Sequence, residues 1–288
     1  MNPATAAPDY ILTVVCPDRP GIVHAVSGSL FEHGGNILES QQFDDVGEGR
    51  FFMRVRFGCD PAMGLEQLRR GFEPVAARFG MSWHLWDAAV PHRTLILVSK
   101  FGHCLNDLLF RWSQRALKAD IVGVVSNHPD LEPMVRSYGV PFHHIAVTPA
   151  TKPQAERAML DLAESLGVHL VVLARYMQVL SQDACRALSG RAINIHHSFL
   201  PSFKGGRPYQ QAFDSGVKLV GATAHYVTAE LDEGPIIEQD TVRVDHRSDA
   251  ARLAAAGRDV ECQVLARAVR WHTESRILLN GQRTVVFS

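Results

Sequence analysis

One segment governs the interpretation of this chain: residues 192–201, Ala-Ile-Asn-Ile-His-His-Ser-Phe-Leu-Pro. It reads as a short apolar strand that ends before Pro201, because proline cannot donate a hydrogen bond to a neighbouring strand. Side chains alternate along a strand, so we expect Asn194 and His196 on one face and His197 on the other. An amide donor beside a titratable ring suits a site that handles a carbonyl carbon, although a histidine near an apolar segment is more often structural than catalytic.

A second polar segment lies downstream, where the apolar run 219–227 leads into residues 228–235, Thr-Ala-Glu-Leu-Asp-Glu-Gly-Pro. Its Gly-Pro end is typical of a turn, and it carries three carboxylates. Glu230 and Glu233 suit a solvated acidic turn. Asp232 stands between a leucine and a glycine, so it is the carboxylate that we expect to turn inward.

Together, the two segments resemble the folate-dependent formyltransferase family. The resemblance covers roughly residues 92 to 275. It rests on four motifs in the family's order and spacing: Asn194-Ile195-His196, Ser198-Phe199-Leu200-Pro201-Ser202-Phe203-Lys204-Gly205, His225-Tyr226-Val227 and Leu231-Asp232-Glu233-Gly234-Pro235-Ile236-Ile237. In that family the Asn, His and Asp of these motifs form the catalytic triad, so the resemblance implies that Asn194, His196 and Asp232 are catalytic.

The composition is that of an ordinary globular protein. The chain has 288 residues, 46% hydrophobic and 20% charged, with a formal net charge of −1. We therefore expect no nucleic-acid partner and no membrane partner, and no apolar run reaches the length of a membrane helix. The N-terminus lacks the basic and apolar regions of a secretory signal. The five scattered cysteines contain no CxxC pair, which favours reduced thiols in the cytoplasm over disulfides or zinc.

The first 86 residues read as a small α+β unit in the order βαββαβ. Helical spacing of Ile22, Val26 and Leu30 predicts its first helix, and alternation over residues 51–57 predicts a half-buried strand. This order resembles an ACT domain, which has a ferredoxin-like fold. The matching motifs are Asp18-Arg19-Pro20-Gly21-Ile22-Val23 and Gly35-Asn36-Ile37.

ACT domains commonly bind amino acids at sheet edges or helix–strand turns, often across a subunit interface. The resemblance therefore implies an amino-acid effector that is contacted by Asp18, Gly21, Asn36 and Ile37. The glycine and the asparagine are also what tight turns need on backbone grounds alone, and the unit could serve only to form a dimer. We expect a homodimer or a homotetramer.

Beyond a linker at residues 87–92, apolar strands alternate with helices. The predicted strands cover residues 94–99, 121–126, 142–147, 168–174 and 192–195. This α/β pattern indicates a Rossmann-like, mostly parallel sheet whose ligands lie beyond the carboxyl ends of the strands. We therefore predict an ACT-like domain over residues 1–86 and a formyltransferase-fold domain over residues 93–288, with a tail hairpin around Asn280-Gly281.

The loop after the strand at 168–174 falls at the same sheet edge. In the resembled family this loop lines the pterin pocket. Carried over, the resemblance implies substrate contacts at Arg175, Tyr176, Met177, Val179, Leu180, Ser198 and Gly234. Met177, Val179 and Leu180 could equally be core residues. A flat pterin ring needs an apolar slot with a few fixed hydrogen-bonding groups, which this loop could offer.

The turn at residues 99–106, Ser-Lys-Phe-Gly-His-Cys-Leu-Asn, distinguishes two reactions. In glycinamide ribonucleotide formyltransferases this turn is glycine-rich and cradles a substrate phosphate. Here it has one glycine, and His103 and Cys104 occupy positions that would need small residues. It is instead similar to the Ser-Lys-x-x-His-Cys-Leu form of the deformylases. Without a phosphate cradle, we expect water to be the acceptor.

The whole arrangement resembles the formyltetrahydrofolate deformylase family. The resemblance implies hydrolysis of 10-formyltetrahydrofolate to formate and tetrahydrofolate in one-carbon metabolism, with folate as substrate and no cofactor. We expect no metal, because the neighbours in the histidine pairs 143–144 and 196–197 should face opposite ways. Two alternatives stay open: a transferase that passes the formyl group to an amine, and a non-catalytic folate or amino-acid sensor.

Overall fold

The computed structural model describes residues 8–201 and 208–288. Residues 202–205 of the second motif, Ser198 to Gly205, lie outside the described part. The chain divides into two compact units. The first unit runs to Pro91 and includes Glu274–Asn280 and Val285–Ser288, and the second comprises His92–Thr273 and Gly281–Thr284.

The first unit has the predicted βαββαβ order. Its elements are β1 (Asp9–Pro17), α1 (Ile22–Glu32), β2 (Asn36–Asp45), β3 (Arg50–Gly58), α2 (Leu65–Phe79) and β4 (Ser82–Asp87). They form an antiparallel sheet in the order β2-β3-β1-β4. Alternate residues of β1, from Tyr10 to Cys16, face a core that also contains Ile22, Val26 and Leu30 of α1. The predicted ferredoxin-like fold is therefore confirmed.

The C-terminal tail forms the predicted hairpin, with β12 (Ile277–Asn280) paired to β13 (Arg283–Val286). Most of it belongs to the first unit, contrary to the expectation that residues 93–288 form one domain. The physical reason is a small apolar core in which Leu278 and Phe287 pack with Phe52 of β3.

Polar contacts hold the tail to the first unit as well. The Arg54 side chain, only 2% exposed, donates through Nη2 to the Glu274 carbonyl at 3.0 Å and pairs with the Glu39 carboxylate at 3.2 Å. Arg276 pairs with the same carboxylate at 3.3 Å. The tail therefore supplies both an acceptor and a charge to the first unit.

The second unit is built on a seven-stranded sheet with the order β11-β10-β9-β8-β5-β6-β7. Its strands are β5 (His92–Val98), β6 (Ala119–Ser126), β7 (Phe142–His144), β8 (Leu170–Leu173), β9 (Ala192–His196), β10 (Leu219–Tyr226) and β11 (Ile236–Arg243). Strands β5 to β9 pair in parallel, whereas β10 and β11 are antiparallel. The predicted mostly parallel sheet is confirmed.

Helices accompany this sheet along the chain. They are α3 (His103–Ser113), α4 (Glu132–Ser137), α5 (Lys152–Ser165), α6 (Gln182–Ala187), α7 (Pro208–Asp214) and α8 (Ala250–Thr273). The parallel strands are buried almost completely, as between Leu95 and Val98, which explains why they are continuous apolar runs. Within the described ranges, no helix has the length and apolar character needed to cross a membrane.

The antiparallel pairing of β10 with β9 brings distant residues together. In its register His225 lies opposite Asn194, and Thr223 lies opposite His196. The Thr223 hydroxyl donates to the Ser198 carbonyl at 2.9 Å and accepts from the Leu200 backbone N–H at 3.0 Å. These bonds fix the chain as it leaves the strand.

A cluster of three histidines lies in the second unit, where the rings of the half-buried His169 and His272 pack edge-on against the buried His92. Burial, with smaller repulsion from His169, lowers the pKa of His92 to about 4. Burial and His92 together lower the pKa of His272 to about 3. Both rings are neutral in the folded protein at pH 7, and the Tyr226 hydroxyl lies 2.8 Å from His272 Nδ1.

This cluster predicts acid sensitivity. In the unfolded chain the rings of His92 and His272 take up protons below about pH 6.5. In the folded protein they do so only at about pH 4 or lower. The free energy of unfolding should therefore fall as pH drops from 7 to 5, by on the order of 2 kcal/mol for each ring. His272→Gln, which keeps an acceptor for Tyr226, should flatten the dependence in urea unfolding, and exposed His246→Gln should not. Equal slopes for wild type and His272→Gln would contradict this account.

Candidate active site

Asn194 and His196 of β9 both face a cavity of about 510 Å³ in the second unit, as the strand alternation predicts. The cavity lies where the loops leave the carboxyl ends of β8 and β9, which is the expected ligand position for such a sheet. Its described lining residues are Phe101, Leu173, Arg175, Tyr176, Met177, Gln178, Val179, Leu180, Cys185, Asn194, Ile195, His196, His197, Tyr209, His225, Val227, Thr228, Ala229, Glu230, Leu231 and Asp232.

Asp232 turns inward, as predicted. Its backbone is left-handed, with φ of 59°, an uncommon conformation for a residue other than glycine. The turn can approach β10 because Gly234 has no side chain: a Cβ there would overlap the Tyr226 carbonyl oxygen. As a result Asp232 Oδ1 lies 3.2 Å from His196 Nδ1. A carboxylate and an imidazole that are distant in the sequence therefore meet.

The electrostatics favour an ionised Asp232. Burial works to raise the pKa of this carboxyl, but the hydrogen bond from His196 and the charges of the nearby histidine rings outweigh burial. The pKa therefore stays below its ordinary value, and Asp232 is a carboxylate near neutral pH. The carboxylate can accept a hydrogen bond from the Nδ1–H group of His196, and Nε2 of that ring then remains to act on a ligand.

His196 Nε2 is buried and has no hydrogen-bond partner among the described residues. A buried imidazole nitrogen without a partner is costly unless a ligand or water completes it. The ring lines the cavity, so Nε2 is in position to bond a ligand there. A substrate oxygen or nitrogen is the chemistry that this atom can serve.

His225 orients Asn194. His225 Nδ1 donates to the Tyr226 carbonyl at 2.9 Å, and burial is the main cause that lowers the pKa of His225. In the neutral ring Nε2 is then an acceptor, and Asn194 Nδ2 lies 3.2 Å away. One amide proton of Asn194 is used in this contact, so the side-chain nitrogen is fixed and its second proton is available to the cavity.

His197 does not point away from the site, contrary to the sequence prediction. Strand β9 ends at His196, so the alternation no longer applies one residue later. The His197 ring stacks on that of His196 at 5.1 Å and lines the same cavity. Burial, then the charges of Arg175 and His196, lowers the pKa of His197 to about 4. His197 is therefore a neutral neighbour of His196 near pH 7.

The loop after β8 forms one wall of the cavity. Met177 and Val179 are each 54% exposed, so they belong to the wall and not to the core. Leu180 serves both, since it lines the cavity and packs in the core of the second unit. Tyr176 lines the cavity too, and burial raises its pKa to about 12. Arg175 is buried, with a left-handed φ of 64°.

Two of the predicted substrate contacts have backbone roles in this structure. Ser198 is buried, and it is not among the described residues that line the cavity. Its carbonyl accepts from Thr223. Gly234 is also outside that set, and it provides the close approach to Tyr226 described above. Their contribution to the site is therefore to shape the segments that carry His196 and Asp232.

A buried polar group beside the cavity was missed in the sequence. Glu261 of α8 has no exposed surface, and its two oxygens lie 2.8 Å from His103 Nε2 and 2.5 Å from the Tyr209 hydroxyl. Arg175 Nη1 lies 3.5 Å from the same carboxylate. The sequence does contain a sign of this buried carboxylate, because Glu261 follows Leu253 and Gly257 at helical spacing on the apolar face of α8.

This group has the composition of a metal site but not its electrostatics. His103, Cys104 and Glu261 carry potential ligand atoms within 4.8 Å of one another. Burial works to raise the pKa of Glu261, yet the His103 hydrogen bond, the Arg175 charge and Tyr209 hold that pKa below its ordinary value. Because the guanidinium already compensates the carboxylate, a second cation there would meet repulsion.

The predicted effector residues lie at the surface of the first unit. Asp18, Gly21, Asn36 and Ile37 are all exposed, at the turn before α1 and at the start of β2. Gly21 has φ of 93°, which requires glycine on backbone grounds. These positions are accessible to a ligand from solvent, and Gly21 also meets the backbone requirement of the turn.

Comparison with known proteins gives the same two modules. A family model described as formyl transferase matches residues 92–269, and one described as ACT domain matches residues 10–62. The formyltetrahydrofolate deformylase of Corynebacterium sp. (strain P-1) is 55% identical over 278 residues, covering 96% of this chain and 97% of that protein. That of Bacillus subtilis is 48% identical, covering 96% and 93%.

Solved structures agree over nearly the whole chain. A formyltetrahydrofolate deformylase from Burkholderia mallei has a TM-score of 0.94 at 54% identity, covering 98% of this chain and 100% of that one. Glycinamide ribonucleotide transformylase 1 from Symbiobacterium toebii has a TM-score of 0.66 at 31% identity, covering 71% and 98%. The similarity to the transformylase thus spans about the length of the second unit.

The close approach at Gly234 predicts a defined cost. Gly234→Ala should lower the free energy of unfolding by roughly 1–3 kcal/mol, because the added methyl group overlaps a backbone oxygen that cannot move freely. Gly28→Ala is the control, since a methyl group there meets open space on helix α1. Urea unfolding of both variants measures the difference. An unchanged midpoint for Gly234→Ala would show that the turn has room to adjust.

Proposed function

The chain belongs to the formyltetrahydrofolate deformylase family, and we propose that Asn194, His196 and Asp232 perform its reaction. The reaction is hydrolysis of 10-formyltetrahydrofolate to formate and tetrahydrofolate. The observation that carries the assignment is the contact of Asp232 Oδ1 with His196 Nδ1 at 3.2 Å, beside a buried Nε2 that has no hydrogen-bond partner in the described part of the chain. The bond to be broken is the amide bond between N10 of the folate and the formyl carbon.

Asn194 and His196 stabilise the charge that develops on the formyl oxygen. The free amide proton of Asn194, fixed by the contact with His225, donates to this oxygen as water adds to the carbon. A protonated His196 provides a second donor at Nε2 while Asp232 holds its Nδ1. Donors fixed in advance are effective because they need no reorganisation during the reaction.

Protons then balance the reaction. The Asp232 carboxylate orients the attacking water and accepts its proton. The tetrahedral intermediate collapses when the bond to N10 breaks, and His196 delivers a proton to that nitrogen. Formate and tetrahydrofolate leave, and a proton returns to the solvent. Each step uses a group that already lies at the cavity wall.

The neutral state of His197 supports this assignment. Two stacked imidazoles at 5.1 Å would repel each other if both were charged. Because the pKa of His197 is about 4, His197 is neutral near pH 7 and adds no such repulsion to the pair. The folate ring fits the apolar part of the cavity, where Met177, Val179 and Leu231 present exposed side chains.

The reaction is testable with the purified chain and 10-formyltetrahydrofolate alone. Wild type should release formate and tetrahydrofolate in equal amounts. Asp232→Asn should lower turnover by roughly 10²–10⁴-fold, the range expected for loss of an acid–base group. Glu233→Gln, in the same turn but exposed, is the matched control and should stay close to wild type. Melting curves must show that all variants are folded.

The outcomes separate the three activities considered. Full activity of folded Asp232→Asn would overturn its assigned role. Release of tetrahydrofolate only after an amine is added would identify a transferase. Binding of the folate without any release of formate would identify a sensor. Formate formed from wild type alone supports the hydrolase and leaves no need for an added cofactor or metal.

We further infer that the first unit binds an amino acid through Asp18, Gly21, Asn36 and Ile37 and assembles into a homodimer or homotetramer. The ACT match and the exposure of these turn residues support the inference. Calorimetry of the full chain with each common amino acid should give heat for one or a few of them, and Asp18→Asn should weaken that heat. No heat from any amino acid would remove the effector.

The cysteines bear on location. All five are free thiols, and the four inside the cores, Cys16, Cys59, Cys104 and Cys185, are buried. Reduced, unpaired cysteines suit a reducing compartment, so a cytoplasmic location is part of this proposal. The proposed reaction belongs to one-carbon metabolism, and the formate that it releases can supply purine biosynthesis.

A further inference from the structure

A group of polar residues around the buried Glu261 lies beside the cavity and is here called the acceptor-side cluster: His103, Arg175, Tyr209 and Glu261. Glu261 is its centre, with His103 at 2.8 Å, Tyr209 at 2.5 Å and Arg175 at 3.5 Å. The members come from α3, the loop after β8, α7 and α8. Four separate segments of the chain are therefore tied together at one point.

The cluster reaches the reaction centre through stacked rings. His197 stacks on His196, and the Tyr209 ring lies 6.2 Å from the ring of His197. Arg175 and Tyr209 themselves line the cavity, together with Phe101, whose ring lies 5.6 Å from the Arg175 guanidinium. An acceptor larger than water that approached His196 from this side would have to occupy their space.

The fit of Tyr209 is specific. Its ring lies against Gly257 of α8, where any Cβ would overlap the ring and the hydroxyl. Glu261 is one helical turn further along α8 and accepts from that hydroxyl. Gly257 and Glu261 thus form a seat for the tyrosine, one by leaving room and the other by binding its end.

The turn before α3 closes the same side. It offers no glycine cradle, because its single glycine is needed for packing: a Cβ on Gly102 would lie 2.9 Å from Leu131. The next residue, His103, is directed to Glu261. A turn that could hold an anionic acceptor is therefore committed to internal contacts.

We propose that the acceptor-side cluster restricts the acceptor to water, with Tyr209 in its seat on Gly257 and Glu261 as the residue that occupies the space of an amine. This inference rests on the proposed hydrolysis. If the space is opened, an unprotonated amine can add to the formyl carbon. The new C–N bond replaces the bond to N10, and the proton lost by the amine goes to N10, so tetrahydrofolate and an N-formyl product form in place of formate.

Hydroxylamine is a suitable probe, because it is small and largely unprotonated at neutral pH. Purified chain is incubated with 10-formyltetrahydrofolate and increasing hydroxylamine, and tetrahydrofolate, formate and formohydroxamate are all quantified, with the rate without protein subtracted. Wild type should give formate and tetrahydrofolate in equal amounts at every concentration. Tyr209→Ala should raise the share of formohydroxamate by roughly tenfold or more, the discrimination that a filled pocket typically gives.

Two further variants separate space from hydrogen bonding. Tyr209→Phe keeps the ring and loses the bond to Glu261, and it should keep the wild-type product ratio. Gly257→Ala keeps the tyrosine but displaces it from its seat, and it should raise the share of formohydroxamate. If Tyr209→Ala does not fold, as judged by its melting curve, Gly257→Ala provides the same test.

The measured products test the acceptor restriction separately from the proposed hydrolysis. Substantial formohydroxamate from wild type, or no rise in any folded variant that still releases tetrahydrofolate, overturns the acceptor restriction and leaves the hydrolase intact. Absence of formate and tetrahydrofolate from wild type instead overturns the proposed function. The wild-type measurement stands even if neither opened variant folds, because a closed acceptor side requires a product ratio that hydroxylamine does not change.

Discussion

The antiparallel pairing of β10 with β9 is the constraint on which the site depends. It sets His225 opposite Asn194 and so fixes the amide, and it leads the chain into the turn that returns Asp232 to His196. A slip of one residue would move every side chain of β10 to the other face. Two contacts of β10 fix this register. The Thr223 hydroxyl bonds the Ser198 carbonyl just after β9, and the Gly234 backbone packs closely against Tyr226 at the end of β10.

Sequence reasoning succeeded where local patterns carry the information. Strand alternation gave the shared face of Asn194 and His196, and turn chemistry gave the inward direction of Asp232. The alternation of strands and helices gave both folds. The error at His197 has a local cause as well, because the strand ends one residue earlier and the backbone there no longer follows the period of two.

The remaining features depend on contacts between distant segments. Nothing near Arg175 or Tyr209 in the sequence indicates that both meet Glu261, because the partners lie on different elements. Burial of charge is tolerated there only through mutual compensation, which a single segment cannot reveal. Glu261 alone was within reach, as the carboxylate on an otherwise apolar helical face.

The tail has a consequence for the order of events in synthesis. Most of the first unit is synthesised early, but the Glu274 carbonyl that accepts from Arg54 lies 220 residues further along the chain. Arg276, which shares the Glu39 carboxylate with Arg54, lies beyond it. Without these later residues, the Arg54 guanidinium, which is 2% exposed in the folded protein, keeps its ion pair with Glu39 but loses the Glu274 acceptor. Phe52 likewise lacks its contacts with Leu278 and Phe287. The packing of the first unit is therefore completed only by residues that are synthesised about 220 positions later.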